Sequence, residues 1–213
     1  VTLFSEGTTM TAQLRDTVEY RKHAFELAGV RGSGLFEPSA HGLTPRALST
    51  ACQRGFLCLY RVADKRLQLE ELRIGLTAEE EQAVQEGRGT LLSGQLPSYL
   101  SETHERVVYT RLRAPVAFTG GLLVVDGFTR GVPYHDGLHP AWSSKRIQEL
   151  LFEGGKLVEE RDCGEVMTRV RERVREKSLQ LDLAPHRAQL AEWLTDAFRL
   201  DYGLAAAGAP RGG

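Results

Sequence analysis

The chain is short of several things, and each shortage closes off a class of protein. Three of its 213 residues are cysteines, Cys52, Cys58 and Cys163. So sparse and odd a set argues against a disulfide framework and for reduced thiols in a cytosol. Charge of one sign is missing too: 27 Lys and Arg against 28 Asp and Glu leave a formal net charge of -1. That excludes generic electrostatic attraction to nucleic acid or to an anionic membrane. No apolar run approaches the ~18 residues that suggest a membrane span. The start of the sequence lacks a basic segment followed by an apolar core, so no secretory signal is expected and a cytoplasmic location is. Val1 reads as a GTG start codon taken literally, with Met10 as the alternative start. Lysine is scarce beside arginine, and Gly and Ala are frequent, a composition that suggests a GC-rich bacterial genome.

Chemical motifs are equally thin. Gly29-Val30-Arg31-Gly32-Ser33-Gly34 is glycine-rich, but neither a helical pattern nor a Lys-Ser/Thr pair follows it, which rules out a phosphate-cradling loop. Cys52 sits in Ser49-Thr50-Ala51-Cys52-Gln53-Arg54-Gly55 with no visible base to activate it, so it reads as a packing residue. Arg169, Arg171, Arg173, Arg175 and Lys177 make one stretch locally basic. Glu165, Glu172 and Glu176 interleave with them at i,i+3 and i,i+4 distances, as on a solvated helix rather than a nucleic-acid surface.

What is there is β patterning. Leu14–Tyr20 alternates, and His23–Leu27 follows after a two-residue break as a hairpin partner. Gly29, Gly32 and Gly34 then read as a loop, and residues 37–55 as an ordered connection. Phe56 to Leu76 is the clearest hairpin, with Phe56, Cys58, Tyr60 and Val62 on one face and Leu67 and Leu69 on one face of the return strand. Thr77-Ala78-Glu79-Glu80 reads as a helix start with Thr77 as N-cap, stopped by Gly87 and Gly89. Gly121-Leu122-Leu123-Val124-Val125 is a continuous apolar run, expected as a central buried strand. From Asp162 the period changes: Val166, Met167, Val170 and Val174 form one helical stripe, and Leu190, Trp193, Leu194, Ala197 and Phe198 a second.

One phrase occurs twice. His41-Gly42-Leu43-Thr44-Pro45 recurs as Asp136-Gly137-Leu138-His139-Pro140, and a hairpin-like stretch follows each. The repetition predicts one scaffold of two related halves. The expected fold is α+β: a mostly antiparallel sheet built from two related β units, with two C-terminal helices. The divisions are a loose N-terminus over 1–13, a first β unit over 14–76 and a linker with a short helix over 77–105. A second β unit over 106–160, a helical hairpin over 161–202 and a disordered tail over 203–213 complete them.

The strongest chemical suggestion is the loop of Tyr134, His135, Asp136, His139 and Trp142. Turn residues there cannot join a sheet, and Tyr and Trp are favoured interface anchors, so these five are the expected partner-binding residues. The alternative is a metal site of His135, Asp136 and His139 in a metal-assisted hydrolase, its third imidazole or further ligand coming from His41 or His104. Pro133, Gly137 and Pro140 forbid a helix that would align the histidines, and Asp136-Gly137 is explained by turn chemistry alone. No catalytic residue and no cofactor are therefore expected, and the partner is expected to be a protein rather than nucleic acid or membrane.

Three segments carry a resemblance: Leu35–Pro45, Ser49–Val62 and Glu149–Leu157. Through them the chain, over residues 14–178, resembles a group of uncharacterised bacterial proteins similar in style to the immunity proteins of polymorphic toxin systems. The resemblance implies a small, cytosolic, β-rich, non-catalytic protein that acts by covering a toxin. It brings no functional residue with it.

Overall fold

A computed structural model describes residues 14–100, 107–128 and 140–181. The first hairpin pairs β1 (Thr17–Tyr20) with β2 (His23–Ser33) antiparallel. Its turn, Arg21-Lys22, has both φ angles positive, the geometry that matches the twist of two-residue hairpins. A 3-10 turn over Pro38–His41 leads towards the second hairpin, β3 (Phe56–Ala63) with β4 (Arg66–Ile74). Helix α1 (Ala78–Gln85) starts on a full capping box: the Thr77 hydroxyl accepts from the Glu80 N–H, and the Glu80 carboxylate accepts from the Thr77 N–H. Short strands β5 (Ser98–Tyr99), β6 (Val107–Tyr109) and β7 (Ala114–Pro115) follow, then the long β8 (Thr119–Phe128). The third hairpin is β9 (Ser144–Glu153) with β10 (Lys156–Asp162), and α2 (Gly164–Leu181) comes last.

These strands do not form the expected mostly antiparallel sheet of two related units. Seven of them close a mixed barrel in the order β4-β3-β1-β2-β8-β9-β10, with β10 returning to β4. The pair β1–β3 is parallel, with Val18 opposite Tyr60. Strands β5, β6 and β7 are additions outside the ring. The proposed halves fail as equivalents because their hairpins dock differently. The β9–β10 hairpin pairs directly with β8, whereas β1 separates the β3–β4 hairpin from β2. Of the two expected C-terminal helices, α2 is described; the second, like the later copy of the repeated phrase up to His139, lies outside the described residues.

Closure is made where two hairpin tips meet. Leu67 N–H donates to the Gly155 carbonyl and Leu157 N–H to the Lys65 carbonyl, both at 2.8 Å. Inside the ring, Val18, Tyr60, Leu67, Leu69, Leu122, Val124, Leu150 and Phe152 belong to one apolar core. The expected hairpin face is correct: Phe56, Cys58, Tyr60, Leu67 and Leu69 are all buried. The apolar run of β8 is buried on both faces, and the two faces have different partners. Leu122 and Val124 enter the barrel, while Leu123 and Val125 join an outer cluster with Ala141, Trp142, Ile147, Cys163 and Met167. Met167 of α2, fully buried, lies in this outer cluster, so the helix covers one wall of the ring.

The expected loop around Gly29 and Gly32 is instead the continuation of β2. Gly29 follows a bulge after Leu27, and Gly32 pairs with Gly120 of β8. A Cβ on Gly32 would lie 2.1 Å from the Thr119 carbonyl oxygen, and one on Gly120 would lie 2.0 Å from that of Arg31. Two backbones in van der Waals contact require glycine on both sides.

Candidate functional site

Of the residues expected at the site, Tyr134, His135, Asp136 and His139 lie outside the described residues. Trp142 is described, and it is not a surface anchor. It is 3% exposed and packs in the outer cluster beside Met167. Its carbonyl accepts a 2.9 Å hydrogen bond from Arg171 of α2, so the helix holds it from above. His41, named as a further metal ligand, stacks on Phe36 at a centroid distance of 4.9 Å. Among the described residues no three His, Cys, Asp or Glu side chains are grouped to hold a metal ion.

The cysteines are core residues. Cys52 is 1% exposed, and its thiol donates to the Phe56 carbonyl at 3.4 Å. Burial, and secondarily the Asp16 carboxylate, pushes the Cys58 thiol far above its ordinary range. Burial pushes Cys163 up to about 11. A protonated, enclosed thiol is a poor nucleophile.

The most built polar group is one that the sequence reading passed over. Asp16, just before β1, is buried, and it accepts three hydrogen bonds. The Cys58 N–H of β3 donates to Oδ1 at 2.6 Å. Arg54 donates to both oxygens, from Nη1 to Oδ2 at 3.0 Å and from Nη2 to Oδ1. The guanidinium also lies over the Phe56 ring, 4.7 Å from its centroid. These contacts tie the loop before β3 to the start of β1 and fix the arginine in one orientation. Arg54 lines a cavity of about 430 Å³ at this end of the barrel, together with Leu27, Leu35, Phe36, Phe56 and Tyr60. Nothing in the spacing of Asp16 and Arg54, 38 residues apart, announces the pair; only the parallel docking of β1 on β3 creates it.

A second surface feature lies in the excursion between α1 and β6. Leu92 and Gln95 form an antiparallel bridge, with N–H···O distances of 3.0 and 2.9 Å, around the Ser93-Gly94 turn. The bridge places Leu91 opposite Leu96, on the face away from the buried Leu92. Leu91 is 62% exposed, Leu96 51% and Leu100 43%. Three of the seven large apolar side chains exposed among the described residues thus fall within ten positions. They flank β5, which among the described residues pairs only with β6, at the end of the sheet. Aligned with known proteins, the chain finds no counterpart: no family model, no curated protein and no solved structure matches it.

Proposed function

We propose that this is a protein-binding module that acts by covering a partner, in the manner of an immunity protein, and not by catalysis. The observation that carries the reading is the exposed leucine ridge, Leu91 opposite Leu96 with exposed Leu100 a few residues on, around the terminal strand β5. Singly exposed leucines are ordinary on a protein surface, whereas clustered ones mark interaction surfaces. An end strand adds backbone donors and acceptors that a partner strand can pair with. The ridge takes over the anchoring part that the sequence suggested for Trp142. The barrel interior supports the same reading, since it is filled by side chains such as Tyr60, Phe118 and Phe152.

The test compares the wild-type chain with the variant Leu91→Ser, Leu96→Ser, Leu100→Ser and with the control Val158→Ser. Val158 is 49% exposed and lies on β10, away from the ridge. Each is expressed in the native host and purified by affinity tag, and stoichiometric partners are identified by mass spectrometry. The wild type and the control are expected to retain one partner that the triple variant loses. Equal recovery with the triple variant, or no partner with the wild type, would refute the reading.

A further inference from the structure

We propose a second, separate binding site: the cavity at the Asp16–Arg54 end of the barrel takes a small amphipathic carboxylate, its anion on Arg54 and its apolar body against Leu27, Leu35 and Phe36. This goes beyond the protein-binding surface at β5 and does not depend on it.

The inference starts from the donors of Arg54. A guanidinium presents five N–H groups in a plane. Asp16 engages the end of the fork, one bond from Nη1 and one from Nη2. The side of the fork, made of Nε–H and its neighbouring N–H, has no acceptor among the described residues. That pair of parallel donors is the geometry a second carboxylate accepts bidentately. The side chain carrying it is 40% exposed and lines the cavity. Asp16 and the Phe56 ring already hold it in place, so a ligand does not have to order it.

The cavity walls supply the rest of the chemistry. Leu27, Leu35, Phe36 and Phe56 are apolar, and the rim carries exposed Leu14 and Val30. A volume of about 430 Å³ falls at the lower end of the ~300–1,000 Å³ of small-molecule sites. An apolar cleft with one pre-set polar fork orients a ligand that is apolar at one end and planar and anionic at the other. The other charged groups on the cavity are Arg15, which pairs with Glu26 at 3.5 Å, and the carboxylates of Asp16 and Glu37, so a second ligand carboxylate finds no further cation to itself and a monocarboxylate fits better than a dicarboxylate.

The test uses the full chain, labelled with ¹⁵N, and three probes: octanoate, octan-1-ol and suberate. Octanoate at low millimolar concentration is expected to shift the amides of Val30, Phe36 and Phe56 saturably. Octan-1-ol should bind about tenfold more weakly at the same residues, and suberate more weakly than octanoate. Arg54→Lys keeps a positive charge for Asp16 but removes the fork, and it should weaken octanoate about tenfold without weakening octan-1-ol. If Arg54→Lys does not fold, Val30→Asp at the exposed rim serves instead: the added carboxylate should lower octanoate affinity more than octan-1-ol affinity. No saturable shift with octanoate would overturn the proposal. So would equal binding of octanoate and octan-1-ol, or an octanoate preference that survives in the folded variant.

Discussion

At the scale of single residues, burial decides what each side chain is for. Tyr60 is 1% exposed, and burial pushes its hydroxyl well above the ordinary tyrosine range. Tyr60→Ala should cost about 3 kcal/mol or more, as truncation of a buried aromatic does, measured by urea unfolding. A loss below roughly 0.5 kcal/mol would mean that the interior is not packed around it. Trp142→Ala should behave alike, destabilising by about 3–5 kcal/mol while leaving the affinity of the surviving folded fraction for its partner unchanged. The thiols give a chemical check. Cys163 in the folded state is pushed up to about 11 by burial, against about 8.5 in an unfolded chain. A raised thiol pKa contributes stability that is fully present below the unfolded value and is lost as pH rises through the folded one. Stability should therefore fall between about pH 8.5 and 11. Native protein at pH 8 should be unreactive with a thiol-titrating disulfide reagent until denatured, when all three cysteines react; fast native labelling would contradict their burial.

At the scale of elements, two neighbouring glycines separate turn chemistry from barrel closure. Gly154 and Gly155 form the β9–β10 turn, with φ of +54° and +79°. A Cβ on Gly154 meets nothing within 4 Å, whereas one on Gly155 would lie 2.2 Å from the Val116 carbonyl oxygen. Gly155 is also the residue whose carbonyl closes the ring to Leu67. Gly154→Asn should therefore be nearly neutral, within about 0.5 kcal/mol, because asparagine tolerates the left-handed region. Gly155→Asn should cost about 2 kcal/mol or more, since backbone must move to admit it. Similar midpoints for the two variants in thermal melts would show that the Val116 backbone does not close on Gly155. The elements themselves were largely legible. The β3–β4 face, the two-residue break before His23 and the Thr77 cap each depend on neighbours in sequence, and each is found as read. The glycine run 29–34 was misread because a glycine that admits a facing backbone looks, in sequence, like one that makes a turn.

At the scale of the whole molecule, the ring joins both halves of the chain into one sheet. In the ring β2 pairs with β8 and β4 meets β10, and outside it β4 also pairs with β6 and β7, so residues 14–76 share four seams with the later strands. Unfolding in guanidinium should accordingly be a single transition. In a Trp193→Phe background, Trp142 fluorescence and far-ultraviolet circular dichroism should give coincident midpoints. Two resolved midpoints would restore separable halves. α2 belongs to the same unit through Met167, and Met167→Asp should lower the midpoint of both probes together, by burying an unpaired charge against Leu123 and Ile147.

The candidate sites divide along the same line. Loop composition and the aromatic content around residue 142 drew attention to Tyr134–Trp142, yet the only described member, Trp142, turned out to be core. The leucine ridge and the Asp16–Arg54 pair carry no sequence signature, because single leucines and charges 38 residues apart are unremarkable until they are brought together. The sequence by itself determined the local facts: β-rich patterning, hairpin faces, a capped helix, near-zero net charge and cysteines without a visible activating base. Those follow from alternation, propensity and composition, which act over a few residues. Only the tertiary structure decided that β1 lies parallel to β3, that β10 returns to β4, and that a doubly apolar β8 has the barrel on one side and α2 on the other. Strand order is chosen by the joint burial of all faces at once, and a side-chain period of two says which face is apolar without saying which strand will cover it.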